Sequence, residues 1–287
     1  MADWNTITIV RCGGAAEHWR RVIERCEKGE GRTLKTDGPN AVLALPGENG
    51  AAGLVVKRWK LDSLGARIKS ALRASRAWRH WKGAERLTKC GLHTASCYAI
   101  ARSTGKDGAT VEWLVMDRLQ GKTLLQHMAD RDLTVKQEHT LAAAVGTHVR
   151  MLLGQGFYNR DGKPSNLIVT WPPPADIAGT VGVAANEGLP QVSVIDCVAI
   201  RRTSSSEEEP PRDVVRSLAN LYIEPLGCGC VPRITLLTRT LQAFGEPTSR
   251  LIWKTGTWRD VRGRLWRATS KVIRDHGDPT PKVNPLA

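Results

Sequence analysis

No stretch of the 287-residue sequence approaches the ~18 consecutive apolar residues that a membrane-spanning helix needs. The opening residues, Met1-Ala2-Asp3-Trp4-Asn5, also lack the basic-then-apolar order of a secretory leader. A cytoplasmic location is the expectation. The seven cysteines (positions 12, 26, 90, 97, 197, 228 and 230) include no Cys-x-x-Cys pair. Their odd number and scatter suit reduced thiols better than a disulfide framework. Cys228 and Cys230 have the wrong spacing for a zinc knuckle, and Cys90, His93 and Cys97 read as idle or buried groups rather than ligands. Internal repeats are absent, as is any recognised nucleic-acid motif, so nucleic acid is not an expected partner.

What is present is an ordinary globular mixture, 41% apolar and 24% charged, with a formal charge of +14 and a pI near 9.8. Such a balance implies attraction to something anionic. The charge is concentrated: from Lys57 to Lys89 there are eleven Lys or Arg against two acids, Asp62 and Glu85. A second basic stretch runs from Arg250 to Arg274.

Local patterns divide the chain. Residues 15 to 28 predict a short helix ending at Gly29. Leu34, Ala41 to Leu45 and Leu54 to Trp59 are short apolar runs separated by Asp37-Gly38-Pro39-Asn40 and Pro46-Gly47-Glu48-Asn49-Gly50, which is turn chemistry between antiparallel strands. Leu64, Ile68, Leu72, Trp78, Trp81 and Leu87 then recur at helical intervals, giving one helix or two in tandem. Tyr98 to Ala101 and Val111 to Met116 close a five-stranded sheet. Helical signals follow over Leu124 to Met128, Val135 to Leu153, Asp213 to Phe244 and Trp258 to Ile273. Between them lies a strand pair, Leu167 to Thr170 and Val192 to Ile195, split by a Pro- and Gly-rich surface loop from Trp171 to Pro190.

The order strands, linker, helices is α+β with a break near residue 119. It predicts a helical extension over 1–31, a strand-rich lobe over 32–118, a mainly helical lobe over 119–249 and a basic, Trp-containing tail over 250–287.

Phosphoryl transfer needs a cation on the phosphates, magnesium held by oxygen ligands, and a carboxylate to accept the nucleophile's proton. Protein kinases supply these with a lysine on the third strand, a glutamate on the following helix, an Asp-x-x-x-x-Asn loop and an acid after the next strand. Each has a counterpart here, in that order. Lys57 ends Leu-Val-Val-Lys on the third strand, and Glu85 follows on the helix. Asp161 and Asn166 share the loop Asn159-Arg160-Asp161-Gly162-Lys163-Pro164-Ser165-Asn166, and Asp196 closes Val-Ser-Val-Ile-Asp. Asp161 is the expected proton acceptor and Lys163 the γ-phosphate neutraliser. Asn166 and Asp196 are the expected Mg²⁺ ligands. Lys57 is the expected anchor of the α- and β-phosphates of ATP, with Glu85 fixing its rotamer.

On these residues the chain resembles the lipopolysaccharide kinases of the Kdo/WaaP type, a branch of the protein-kinase-like fold. The resemblance covers residues 32 to 245. It adds Gly91-Leu92-His93-Thr94-Ala95, Val115-Met116-Asp117, Gly156 to Asp161 and Arg212 to Leu218 to the motifs above. It implies a two-lobed kinase-like fold (five-stranded N-lobe with helix C, mainly helical C-lobe), Met116 and Asp117 at the nucleotide, and an anionic, lipid-linked saccharide as acceptor. The basic stretch from Leu61 to Arg86 and the tail with Trp258, Val261, Leu265, Ala268 and Val272 set cations beside Trp, which suits either peripheral contact with anionic lipid at the cytoplasmic face of the inner membrane or Trp packed on the lobes with solvated cations.

Three departures stand out. Asn159 replaces the usual His, Cys197-Val198 replaces Phe-Gly, and Thr36-Asp-Gly-Pro-Asn40 stands where a Gly-x-Gly-x-x-Gly loop belongs. Lys163-Pro164-Ser165-Asn166 also reads like Ser/Thr protein kinases. A protein-kinase-like enzyme and a catalytically impaired pseudokinase scaffold therefore remain as alternatives. Asp213 reads equally as a helix cap or as an acid bracing the loop. Ser204 to Pro211 reads as a solvated acidic loop.

Overall fold

A computed structural model describes residues 4–47, 53–105, 108–130, 133–171, 189–202, 212–230, 234–243, 258–281 and 285–286. Most of the Trp171 to Pro190 insertion, the Ser204 to Pro211 segment and the Asp213 side chain lie outside that description. The chain divides into two compact units, residues 1–85 with 95–119 and residues 86–94 with 120–287.

β-Branched residues at Thr6, Ile7, Thr8, Ile9 and Val10 restrict χ1 and favour extended backbone. They sit in strand β1 (Trp4–Cys12), which leads to helix α1 (Ala16–Glu27). Then come β2 (Arg32–Asp37), β3 (Asn40–Leu45), β4 (Leu54–Lys60), α2 (Leu64–Ala71), α3 (Arg76–Lys89), β5 (His93–Thr94), β6 (Cys97–Gly105) and β7 (Thr110–Asp117). Six of these strands form one sheet in the order β1-β6-β7-β4-β3-β2, antiparallel at every pairing.

The expectation of a five-stranded lobe with residues 1–31 outside it is thereby corrected. The five strands are there, but β1 adds a sixth by pairing with β6. Helix α1 is equally integral. Its Trp19, Val22, Ile23 and Cys26 pack on Val56, Ala99, Ala101, Trp113 and Val115 of one sheet face. Burial pushes the Cys26 thiol up to about 12, which keeps it protonated and inert. The opposite face takes Ala77, Trp78 and Trp81 of α3 against Val55, Ile100, Leu114 and Met116. The sheet is covered on both sides because its strands carry apolar residues on both.

The second unit begins with β8 (Lys122–Thr123), α4 (Leu124–Ala129) and α5 (Val135–Gly154). Both helices start on the same device, a Thr-x-x-Gln box. The threonine hydroxyl accepts from the third backbone N–H, and the glutamine accepts from the threonine N–H, at Thr123/Gln126 and Thr134/Gln137. Next are β9 (Phe157–Asn159), β10 (Leu167–Thr170), β11 (Gln191–Val194), β12 (Ile200–Arg202), α6 (Arg212–Gly227), α7 (Ile234–Ala243) and α8 (Trp258–Arg274). The strands form a small sheet ordered β5-β11-β10-β8 and a separate β12-β9 pair. Helix α5 packs on α7, and α6 on α8. No described helix is long and apolar enough to cross a membrane.

His148 on α5 is buried, and desolvation, with a smaller contribution from His93, holds its imidazole down at about 4. The unfolded chain, with histidine near its ordinary value, binds the proton first. Folding stability therefore falls as pH drops from about 6.5 to about 4, by up to ~3 kcal/mol. Urea melts at pH 7, 5.5 and 4.5 are expected to show that slope, and His148→Asn is expected to flatten it.

Candidate active site

The Asn159 to Asn166 loop is suspended between two anchored strands. β9 is held by β12 through the Asn159–Ile200 register, and Arg160 N–H donates to the Ala199 carbonyl at 3.1 Å. At the far end a 3₁₀ turn, Pro164–Asn166, feeds β10, which is bonded along its length to β11. Proline at the first position of that turn has no N–H to leave unsatisfied. Between these ends the side chains converge. Asn166 Nδ2 donates to the Asp161 carbonyl at 3.0 Å and to Asp161 Oδ2 at 3.1 Å. Lys163 Nζ lies 3.2 Å from Asp161 Oδ1. The three expected catalytic residues thus form one cluster, half-exposed and open to a substrate.

Two residues that motif spacing did not point to brace the loop. Buried Glu224 on α6 accepts from Ser165 N–H at 2.8 Å and from Ser165 Oγ at 2.6 Å. Ser217, also on α6, donates from its hydroxyl to the Asn159 carbonyl at 3.1 Å. Ser217 also fits tightly at Gly162, where an added Cβ would come within 2.9 Å of its Oγ. Glu224 lies outside every motif stretch and Ser217 within the Arg212 to Leu218 stretch, and each acts across more than fifty residues. Asn159 itself serves the scaffold, its Oδ1 accepting from Asp161 N–H at 3.1 Å. Glu224→Ala strands two donors, and is expected to cost about 1–3 kcal/mol in a denaturant melt and to lower turnover through a loosened loop.

Asp196 caps a second 3₁₀ turn, Cys197–Ala199, accepting from Val198 N–H through Oδ1 at 3.2 Å. Cys197, where the resembled family carries Phe, is fully buried with its sulfur 3.1 Å from Thr94 Oγ1. The donor chemistry suits magnesium. Asn166 turns its amide nitrogen toward Asp161, leaving Oδ1 on the other side, and Asp196 is a carboxylate. A hard cation takes one or two such oxygens and completes its shell with phosphates and water. Among the described residues no cluster of three or more His, Cys, Asp or Glu could form a protein-only cage.

The expected nucleotide anchors belong to the first unit. Lys57 lies on β4 between its register partners Val42 and Leu114. Strand alternation puts it on the face of Val55, the face that α3 covers. Glu85 is on α3, so lysine and glutamate share one side of the sheet. The Glu85 carboxylate is engaged by β1 and by its own helix, accepting from Arg11 Nη2 at 2.5 Å and from Trp81 Nε1 at 2.8 Å. The Arg11 guanidinium also lies 4.6 Å from the Trp81 ring centroid. Met116 is buried in the apolar cluster beside α3, and Asp117 ends β7 with its N–H on the Ser96 carbonyl. The Tyr98 hydroxyl donates to Asp117 Oδ1, and burial, then Asp117, pushes that phenol up to about 12. The β2–β3 hairpin closes on Gly38 and Pro39, since Asp37 pairs with Asn40. Pro39 has no N–H, so this turn offers fewer phosphate donors than a glycine-rich loop.

A strand-rich unit with a helix across its sheet, continued by a mainly helical unit carrying the Asp161/Asn166 loop, defines the two-lobed protein-kinase-like fold. No family model matches the chain, and no curated protein matches it. Among solved structures it is similar to WaaP in complex with acyl carrier protein, over 93% of this chain and 98% of that one, with 18% identity and a TM-score of 0.56. Looser likenesses are to the PknI kinase domain of Mycobacterium tuberculosis (16% identity, 83% of this chain and 94% of that one, TM-score 0.40) and to the BubR1 kinase domain (10%, 86% and 81%, 0.47). The WaaP likeness carries the fold assignment.

Proposed function

We propose that the chain is an ATP- and Mg²⁺-dependent phosphotransferase acting on an alcohol group. The observation that carries the reading is the cluster in which Asn166 and Lys163 both hold the Asp161 carboxylate. That carboxylate is positioned to orient an acceptor hydroxyl and take its proton. Lys163 neutralises charge on the transferred group, and Asn166 and Asp196 hold the metal. Lys57 anchors the α- and β-phosphates, Glu85 supports it through α3, and the Met116–Asp117 segment borders the nucleotide base. Magnesium held by Asn166 and Asp196 would offset the negative charge of the phosphates.

For the acceptor we propose a sugar hydroxyl of an anionic, lipid-linked saccharide presented at the cytoplasmic membrane face. Support comes from the motif resemblance and from the charge of +14, which favours an anionic substrate. Incubation with labelled ATP, Mg²⁺ and lipopolysaccharide core acceptors tests this, with label expected in the saccharide. Label in polypeptide alone makes the protein a protein-kinase-like enzyme. The Gly38–Pro39 turn and Cys197 favour a scaffold reading instead. That reading gains if ATP–Mg²⁺ raises the melting temperature while no acceptor is labelled.

A further inference from the structure

Helix α2 is built inside out. Its inward side is polar. Ser70 is buried and donates to the buried carboxylate of Glu112 on β7, while Arg102 on β6 donates to the Ser70 carbonyl. Ser63 caps the N-terminus by accepting from Ala66 N–H at 3.1 Å, and Arg67 donates to the carbonyls of Leu61 (3.3 Å) and Gly108 (3.2 Å). Both ends of the helix are therefore fixed to the strand unit by hydrogen bonds.

The opposite side is aliphatic. Leu64, Ile68 and Leu72 recur every four residues along one ridge and are 74%, 48% and 73% exposed. They are three of the six large exposed apolar side chains among the described residues. At 3.6 residues per turn, Arg67 and Lys69 fall on either side of this ridge and Ser70 behind it. From Ser63 to Ala84 there are six cations (Arg67, Lys69, Arg73, Arg76, Arg79 and Lys82) and no acid.

Charge decides what covers the ridge. A second copy presenting the same face would set cations against cations. A nucleic acid would take the cations and leave three aliphatic side chains in water. A bilayer with anionic headgroups satisfies both, accepting a shallow apolar ridge at the acyl boundary and flanking cations at the phosphates. We propose that α2 is a membrane-docking helix. It seats Leu64, Ile68 and Leu72 in the interface of an anionic bilayer, with Lys69, Arg73 and Arg76 on lipid phosphates. The inference stands on this ridge and does not need the phosphotransfer reading.

Co-sedimentation of the full chain with phosphatidylcholine vesicles, with and without phosphatidylglycerol, tests it in the absence of ATP. The wild type is expected to pellet with the anionic vesicles only. Leu64→Ser/Ile68→Ser/Leu72→Ser is expected to lower its partition coefficient about a thousandfold or more, the order for three aliphatic side chains kept in water. Its melting temperature should not change, because the replaced side chains are already exposed. Lys69→Glu/Arg73→Glu/Arg76→Glu is expected to remove the preference for phosphatidylglycerol. The proposal is overturned by wild type that ignores phosphatidylglycerol or by a serine variant that pellets like wild type. It is equally overturned if the ridge is needed to retain the chain on an immobilised acidic protein while vesicles are not bound. A failure here leaves saccharide labelling untouched, and a failure there leaves vesicle binding untouched.

Discussion

Asp161→Asn is expected to lower phosphotransfer by about 10²–10⁴-fold, the range that a positioned general base contributes. The amide keeps the size of the side chain and can still accept from Asn166 Nδ2, so the loop retains most of its internal bonding. What it loses is the capacity to take a proton and the partnership with Lys163 at 3.2 Å. That pair is 43% and 38% exposed, and solvent-exposed pairs contribute about 0–1 kcal/mol, so stability should barely move. Nucleotide binding, proposed above to draw on Lys57 and Asp196, should persist, which a thermal shift with ATP–Mg²⁺ reads directly. The combination expected is an unchanged melting temperature, a retained ATP shift and lost turnover. Turnover that survives the substitution would remove Asp161 from the chemistry.

The second large effect concerns residues that look dispensable in the sequence. Deleting residues 1–31 removes β1 from the edge of the sheet and α1 from its face, uncovering Val56, Ala99, Ala101, Trp113 and Val115. Trp19, Val22 and Ile23 alone account for roughly 1.5–3 kcal/mol each of burial, together comparable to a typical domain's whole margin of stability. The truncated chain is expected to lose the cooperative unfolding of its strand-rich unit, seen as missing near-ultraviolet dichroism from its tryptophans. The point version is Ile23→Ala, at a fully buried site, which should cost about 2–5 kcal/mol in a urea melt. A truncated protein that melts like the full chain would mean that β1 and α1 are an appendage after all.

Legibility followed the range of the interaction. The proximity of Asp161 and Asn166 could be read because both lie in one short loop, five residues apart. The helices starting at Leu124 and Val135 could be read because their Thr-x-x-Gln caps are local. Glu224, Ser217 and Arg11 could not, since each meets its partner through the fold. Strand β1 carries a short alternation from Thr6 to Val10, but its place in the sheet depends on β6, far along the chain. Leu64, Ile68 and Leu72 show a different limit. Their spacing marks one face of a helix, and only the surrounding hydrogen bonds of Ser70 and Arg67 say that this face points outward.

Strand β1 also sets an order of events during synthesis. Trp4 pairs with Gly105 and Cys12 with Ala99, so β1, which precedes every other strand of its sheet in the chain, must wait for nearly the whole unit before it finds a neighbour. The β2–β3 and β3–β4 pairings are between chain neighbours and can close early, whereas β1 carries the largest loop-closure cost in the sheet. Until β6 emerges, a β-branched segment with unpaired edges is exposed in the nascent chain, and that interval is when strand-to-strand association between chains competes with folding.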